Sequence, residues 1–291
     1  MLLKDLKYIF HKELDAIYGT DEVDSFFFLS IEHYLNLPRI QLVLEPGSTI
    51  AMSKTDLFFR ALEGLKRQRP LQYILGITEF YGLPFNVNEH VLIPRPETEE
   101  LVALILRNIK SQKPTSKTIK ILDMGTGSGC IAIALAKNVP NAEVFALDVS
   151  REALKVAKQN AELNTVEITC IEADLLNKSN LSVGFKDLEF DIIVSNPPYV
   201  RALEKAEIQS NVIDFEPHLA LFVEDRNPLI FYKAITDFAM VCLKPKGALY
   251  FEINQYLGEE TKRVLIDADF DNVELTKDLN GNDRMLRGTR T

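Results

Sequence analysis

The sequence predicts an α/β fold, in which a mostly parallel sheet follows a small N-terminal helical bundle. Three observations lead to this prediction. From Pro96 onwards, helical and strand patterns alternate, as they do in proteins built on a parallel sheet. The apolar segment 120–124 runs directly into a glycine-rich turn and a helix, which is the nucleotide-binding opening of such sheets. Before residue 70, apolar residues recur at helical spacing.

The chain divides into three predicted parts. Residues 1–75 carry the helical pattern and are expected to form the small bundle. Residues 76–95 contain the apolar runs 80–87 and 91–93, which predict a β-hairpin linker. Residues 96–291 begin with a proline and several acidic residues, which favour a helix start, and then alternate strands with helices.

Composition and charge narrow the class of function. The chain has 291 residues, of which 46% are hydrophobic and 26% charged, as in an ordinary globular protein. Its 42 acidic residues outnumber its 33 basic ones, and the net charge is −9. Proteins that hold nucleic acid through its phosphates usually carry a basic surface. A direct nucleic-acid substrate is therefore not expected.

The sequence also favours neither a membrane protein nor a metal protein. It contains no run of about 18 apolar residues, the length that spans a bilayer, and its first residues lack a signal-peptide core. The histidines share no ligand spacing. Cys130, Cys170 and Cys242 lie in apolar contexts and are expected to be buried thiols in a reducing compartment. We predict a cytoplasmic protein that needs no metal.

A glycine-rich turn follows the predicted strand 120–124. Alternate glycines allow positive φ angles and close approach of a ligand to the backbone. This spacing differs from the dinucleotide fingerprint, and Asp123 at the strand end would repel a pyrophosphate. A carboxylate at this point is better suited to an amino-acid moiety or a sulfonium cation. The predicted cofactor-binding residues of this region are Asp123, Gly125, Thr126, Gly127, Ser128 and Gly129.

Acidic residues follow the next two predicted strands. Strand 142–147 leads to Asp148, whose carboxylate can accept hydrogen bonds from both hydroxyls of a ribose. Taken alone, Asp148 could instead cap the helix that begins near Ser150. Strand 167–171 leads to Asp174, at the depth where adenine is contacted in such folds. The order of these features predicts a binding site for S-adenosylmethionine.

The tetrapeptide Asn-Pro-Pro-Tyr, residues 196–199, follows the apolar strand 190–195. We expect the side-chain oxygen of Asn196 and the backbone carbonyl of Pro197 to accept hydrogen bonds from a planar NH2 group, with Tyr199 packed against its plane. These residues include no nucleophile and no metal ligand, so the predicted task is to orient a weakly nucleophilic nitrogen for direct methyl transfer. Because prolines stop strands, the tetrapeptide alone could also be a rigid turn.

Two further segments are more specific than these motifs: Ile-Pro-Arg-Pro-Glu-Thr-Glu at 93–99 and Glu-Pro-His-Leu-Ala-Leu at 216–221. Together with 123–129, 196–199 and 278–284, they make the chain resemble the HemK/PrmC family of protein-(glutamine-N5) methyltransferases, which modify peptide chain release factors. The resemblance implies a class I (Rossmann-like) methyltransferase fold, with a seven-stranded sheet closed by an antiparallel hairpin. It also implies transfer of a methyl group from S-adenosylmethionine to the glutamine of a Gly-Gly-Gln motif, with S-adenosylhomocysteine as product.

The same resemblance implies roles for individual residues. The glycine turn, Asp148 and Asn196 contact the cofactor, and Leu175 falls where relatives often carry an aromatic residue that packs on adenine. The glutamine is expected to contact Asn196, Pro197, Pro198 and Tyr199. Arg95 either contacts substrate or pairs with a nearby carboxylate. The helical domain is expected to help recognise class 1 release factors, and the enzyme to be a monomer.

Three alternatives stay open at the level of sequence. An adenine-N6 methyltransferase of DNA or RNA would use the same tetrapeptide, because the exocyclic amine of a flipped adenine poses the same geometry. A glutamine methyltransferase of ribosomal proteins would differ mainly in its recognition domain. A non-catalytic assembly module is disfavoured, since the glycines and Asn196 are all present.

Overall fold

The computed structural model describes residues 1–45, 47–111, 118–177, 185 and 188–291. Its contacts divide the chain into two compact units. The first contains Met1–Ile77 and Gln209–Phe215, and the second contains Thr78–Ile208 and Glu216–Thr291.

The helices of the described residues are α1 Leu3–Tyr18, α2 Thr20–Leu35, α3 Arg39–Leu44, α4 Met52–Lys66, α5 Leu71–Leu75, α6 Pro96–Ser111, α7 Cys130–Asn138, α8 Arg151–Leu163, α9 Ser210–Phe215, α10 His218–Leu221, α11 Ile230–Cys242 and α12 Gly258–Asp267. A 3₁₀ helix covers Ala202–Glu207. The strands are β1 Ile77–Phe80, β2 Leu83–Asn86, β3 Ile119–Met124, β4 Ala142–Asp148, β5 Thr169–Glu172, β6 Phe190–Ser195, β7 Val200–Arg201, β8 Phe222–Val223, β9 Leu243–Glu252, β10 Phe270–Lys277 and β11 Asp283–Arg290.

The first unit is a helical bundle around an aromatic core. Phe10, Phe27 and Phe58 come from α1, α2 and α4 and are fully buried. Their ring centroids lie 5.3, 6.3 and 6.1 Å apart, so the three rings form one cluster. Each helix supplies one apolar face to this core, which is why the helical spacing of the sequence predicted the bundle correctly.

The second unit contains a seven-stranded sheet with the order β10-β11-β9-β6-β3-β4-β5. β5, β4, β3, β6 and β9 are parallel, whereas β11 is antiparallel to both of its neighbours, β9 and β10. Apolar side chains on the two faces of the sheet form two separate core clusters. The predicted seven-stranded sheet and its final antiparallel hairpin are confirmed.

The parallel strands bring their carboxyl ends to the same edge of the sheet, where ligands of open α/β sheets bind. Asp123 lies near the end of β3, and Asp148 is the last residue of β4. Asn196 directly follows β6, and Glu252 ends β9. Four polar side chains far apart in the sequence thus meet at one edge.

Two segments differ from the pattern expected from the sequence. The hairpin consists of β1 and β2, and residues 91–93 contain no strand. The chain reverses at Tyr81 and Gly82, whose φ angles of 53° and 71° are those of a tight hairpin turn. The sequence signal at 91–93 was a short apolar run, and Val91 and Ile93 use their apolar side chains in a buried loop.

The second difference lies at residues 244–247, where the sequence Lys-Pro-Lys-Gly indicates a turn. These residues belong to β9 and form a bulge, because Phe190 pairs with Leu243 but Ile192 pairs with Ala248. Lys246 takes a positive φ of 66° within the bulge. A proline and a glycine signal a turn and a bulge equally well, so the sequence pattern did not separate the two.

None of the helices in the described part of the chain has both the length and the apolar character needed to cross a bilayer.

Candidate active site

The glycine turn leaves its backbone open to a ligand. Between β3 and α7, Gly125 and Gly127 have φ angles of 77° and 55°, in the left-handed region that favours glycine. A Cβ built at either position would meet nothing within 4 Å. The backbone of this turn therefore borders empty space, which is the arrangement expected for close approach of a cofactor.

Asp123 lies beneath the turn and is completely buried. Its Oδ2 accepts hydrogen bonds from the Thr126 hydroxyl at 2.6 Å and from the Ala132 backbone N–H at 3.3 Å. Its Oδ1 is buried and has no partner among the described residues. Burial raises the pKa of this carboxyl to about 7, while the two hydrogen bonds lower it. An unpartnered buried carboxylate oxygen is suited to a cationic or hydrogen-bond-donating ligand group.

The Asp148 carboxylate links the glycine turn to the N-terminus of α8. Its Oδ2 accepts a hydrogen bond from the Gly127 backbone N–H at 2.8 Å, and its Oδ1 accepts one from the Ser150 N–H at 2.9 Å. The side chain of Ser150 itself caps α8, by accepting from the Ala153 N–H at 3.2 Å. Burial raises the pKa of Asp148, and its backbone hydrogen bonds oppose the shift. Each carboxylate oxygen still has lone pairs for a ligand hydroxyl.

A cavity of about 330 Å³ lies against these residues, within the second unit. Its wall includes ten of the residues predicted from the sequence: Arg95, Gly125, Thr126, Gly127, Ser128, Asp148, Asp174, Leu175, Asn196 and Pro198. Leu175 is buried in this wall, and the Asp174 carboxylate accepts a hydrogen bond from the Leu176 N–H at 2.9 Å. The structure thus brings residues from five segments of the chain to one pocket.

The other four predicted residues are not among those that line this cavity. Asp123 lies under the glycine turn, and Gly129 packs against α8. Pro197 is buried, and in the described part of the chain no hydrogen bond reaches its carbonyl. The Tyr199 hydroxyl donates to Oε1 of Glu252 at 3.1 Å, so the ring is held by a buried carboxylate as well as by packing.

A hydrogen-bonded chain connects Asn196 to the same carboxylate. Asn196 Nδ2 lies 3.2 Å from the Thr98 hydroxyl, which donates to Glu252 Oε2 at 2.6 Å. Thr98 and Glu252 are both buried. Burial raises the pKa of Glu252, while the two hydroxyl donors and the nearby Arg284 lower it. Asn196 Oδ1 has no partner among the described residues, so the pocket holds a free amide oxygen.

Arg95 pairs with a carboxylate. Its Nη2 lies 2.5 Å from Glu216 Oε1, and Glu216 Oε2 accepts a hydrogen bond from the Ile93 N–H at 3.2 Å. The Glu216 side chain is 1% exposed, and that of Arg95 is 33% exposed. The structure thus contains the carboxylate pairing expected for Arg95, which also lines the pocket, and this pairing joins the two most family-specific segments.

Sequence reasoning assigned no role to Thr98, Glu252 or Phe231. Thr98 lies inside the family-specific run 93–99, and Phe231 completes the pocket wall from α11. Glu252 could have been found as a single acid directly after the apolar run 248–251. In the described residues, no cluster of three or more histidines, cysteines or acids could hold a metal ion.

This sheet order, with a glycine turn after β3 and a pocket at the carboxyl ends of the strands, defines the fold of a class I methyltransferase. Residues 100–217 match the methyltransferase small domain, and residues 12–76 match the PrmC N-terminal domain. The chain belongs to the family of release factor glutamine methyltransferases.

Two relatives show how closely the chain matches this family. It is 53% identical to the release factor glutamine methyltransferase of Flavobacterium psychrophilum, over 99% of both chains. It is 40% identical to that of Bacteroides thetaiotaomicron, over 96% of this chain and 97% of the relative. Among solved structures, a 16S rRNA N2 methyltransferase of T. thermophilus, in complex with AdoMet and guanosine, aligns with a TM-score of 0.53. That alignment covers 74% of this chain and 50% of the other at 18% identity, so it supports the fold alone.

Proposed function

We propose that this enzyme transfers a methyl group from S-adenosylmethionine to N5 of the glutamine in the Gly-Gly-Gln motif of class 1 peptide chain release factors. The observation that carries the proposal is the pair of free acceptors after β6, Asn196 Oδ1 and the Pro197 carbonyl, beside the glycine-turn pocket. Two acceptors match the two N–H bonds of a carboxamide. The names of the relatives support glutamine in a release factor as the acceptor.

The residues of the pocket fit the proposed cofactor. The open backbone at Gly125 and Gly127 would receive its amino-acid part, and the unpartnered Oδ1 of Asp123 suits the nearby positive charge. Asp148 would hold the ribose, and Asp174 and Leu175 would border adenine. When bound, S-adenosylmethionine supplies a methyl group activated by its sulfonium, so the sulfur–carbon bond breaks as the nitrogen–carbon bond forms.

Asn196 and Pro197 supply orientation, because a carboxamide nitrogen is a poor nucleophile whose lone pair is delocalised. Each acceptor takes one N–H of the glutamine, which turns the lone pair towards the methyl group. Residues 196–199 form an acceptor corner after β6. The prolines fix its backbone, and Tyr199 stiffens it through a hydrogen bond to Glu252. Positioning of this kind can contribute up to about 7–11 kcal/mol. The extra proton leaves to solvent after transfer, so the attack needs no base.

The remaining parts of the chain have proposed roles too. Residues 1–75 and the linker at 76–95 would recognise the release factor, and residues 96–291 would carry out the transfer. Arg95 lines the pocket while Glu216 holds its Nη2, so the other N–H groups of its guanidinium would contact substrate. We further propose that the enzyme works as a monomer in the cytoplasm.

The test is transfer of labelled methyl from S-adenosylmethionine to a bacterial class 1 release factor, beside its Gly-Gly-Gln to Gly-Gly-Ala variant. We expect label only in the glutamine form. Asn196→Ala should lower kcat by about 10²–10³, the loss typical of one positioned polar group, and leave the melting temperature nearly unchanged. Label in both forms, or in neither, would contradict the proposal and direct attention to ribosomal proteins and nucleic acid.

A further inference from the structure

Four polar side chains at the acceptor corner are joined in one continuous hydrogen-bonded chain: Asn196, Thr98, Glu252 and Tyr199. It runs from Asn196 Nδ2 to the Thr98 hydroxyl at 3.2 Å, and from there to Glu252 Oε2 at 2.6 Å. It continues from Glu252 Oε1 to the Tyr199 hydroxyl at 3.1 Å. Only Asn196 and Tyr199 belong to the tetrapeptide, while Thr98 comes from α6 and Glu252 from β9. The chain therefore links the corner to two distant elements.

Glu252 determines the direction of these hydrogen bonds, that is, which group donates and which accepts in each of them. Both carboxylate oxygens of Glu252 accept from hydroxyl groups, Oε2 from Thr98 and Oε1 from Tyr199, and a hydroxyl has one proton to donate. Thr98 must use its proton on Glu252, so its oxygen is left as an acceptor. Asn196 must then present its NH2 group to Thr98. Its oxygen is consequently turned away from Thr98, where it is free to accept.

Several charged or titratable groups surround Glu252 and bear on its ionisation. Arg284 on β11 favours the carboxylate, as do the two hydroxyl donors, whereas burial and Glu97 oppose it. The Tyr232 hydroxyl, on α11, donates to the backbone carbonyl of Glu252 at 3.3 Å. Burial raises the pKa of Cys130, on α7, and the negative charge of Glu252 adds to this rise.

We propose that Glu252 is a positioning residue of the transfer reaction: through Thr98, it fixes the Asn196 carboxamide with its oxygen towards the acceptor nitrogen. This inference rests on the proposed function for its effect on rate. The direction of the hydrogen bonds is a property of the protein alone and can be tested without turnover.

The first test compares Thr98→Val with Thr98→Ser. Valine keeps the shape but removes the hydroxyl, so the Asn196 NH2 loses the group that orients it. We expect kcat to fall about tenfold or more, as follows from leaving a polar group of a buried pair unsatisfied. The KM for S-adenosylmethionine should change less than about threefold, and serine should restore kcat to within about threefold of wild type. Equal kcat for valine and serine would overturn the proposal.

The second test reverses the direction of the chain. In Asn196→Asp, two carboxylates compete for the single Thr98 proton, so we expect activity to be lost. Adding Glu252→Gln supplies an NH2 that can donate to Thr98, which then donates to the aspartate and leaves its second oxygen free. The double variant should therefore regain at least about tenfold in kcat over Asn196→Asp alone. A double variant no more active than Asn196→Asp would contradict the inference.

The third test needs no methyl transfer and separates the two proposals. In ¹⁵N-labelled protein, the side-chain NH2 signal of Asn196, assigned by its loss in Asn196→Asp, should shift in Thr98→Val and stay in place in Thr98→Ser. This result would hold even if wild-type enzyme failed to label any release factor, in which case only the proposed function would be wrong. An unmoved signal in Thr98→Val would overturn the positioning role whatever the activity. Melting curves of each variant check that the fold is kept.

Discussion

Arg95 and Glu216 form an ion pair of 2.5 Å although 121 residues separate them in the sequence. Glu216 is buried and also accepts the Ile93 N–H, so one carboxylate holds the segment before α6 at two points. That segment borders the pocket through Arg95 and leads directly to Thr98. The pair therefore helps to set the position of Thr98, the residue that hydrogen-bonds to Asn196.

Removing Arg95 should destabilise the enzyme more than removing both partners. Arg95→Met leaves Glu216 buried with one hydrogen bond. We expect the free energy of unfolding to fall by about 3 kcal/mol, the lower end for a broken buried pair, because a third of Arg95 is exposed to solvent. Arg95→Met combined with Glu216→Gln should recover part of that loss. Urea unfolding of both variants measures it, and a double variant less stable than the single would contradict the ion pair.

Gly127 and Gly129 should respond differently to alanine. Both have positive φ, of 55° and 82°, and a strain of about 1–2 kcal/mol is expected at each. A Cβ at Gly129 would also lie 3.1 Å from Ala157 Cβ and 3.0 Å from Ile133 Cδ1, whereas Gly127 has open space. Gly129→Ala should therefore lose more stability, and Gly127→Ala should mainly raise the KM for S-adenosylmethionine. Thermal unfolding and cofactor titration of the pair separate these effects, and equal stabilities would refute the argument.

Asp148→Ala should weaken cofactor binding as well as stability. It removes an acceptor from two backbone N–H groups, those of Gly127 and Ser150, at a cost of about 1–3 kcal/mol. Asp191→Ala is the matched control, since Asp191 also accepts a backbone N–H, from Lys120, at the start of β6. We expect both variants to lower the melting temperature, and calorimetry to show weaker S-adenosylmethionine binding only for Asp148→Ala.

Asp123 should make stability depend on pH near neutrality. Its pKa is about 7 in the folded protein, against 3.8 as the ordinary value, so between these the folded state keeps a proton that the unfolded chain has lost. Stability therefore falls as pH rises through this range. Asp123→Asn lacks the titration, so its melting temperature relative to wild type should increase from about pH 4 to about pH 7. A difference that stays constant with pH would show that Asp123 is not buried as a titrating acid.

Sequence patterns were sufficient for residues that follow a strand directly. Gly125, Asp148 and Asn196 each come after a short apolar run, and the rule that parallel strands end at one edge brings them together. The hydrogen bond between Thr98 and Glu252 could not be found this way, because it spans 154 residues and depends on where α6 packs. The hydrogen bond from the Tyr199 hydroxyl to Glu252 could not be predicted either, because no local pattern marks Glu252 as its partner.

The position of β11 has a consequence for how the enzyme is made. β11 follows β10 in the sequence, yet it lies between β10 and β9 in the sheet. During synthesis, β9 and β10 therefore lack their common neighbour until Asp283–Arg290 has left the ribosome, and two strand edges stay open. Arg284, which favours the charged form of Glu252, arrives with the same strand. A nascent chain stopped before this strand would contain Thr98, Asn196 and Glu252 and still lack both a closed sheet and the arginine that favours the ionised form of Glu252.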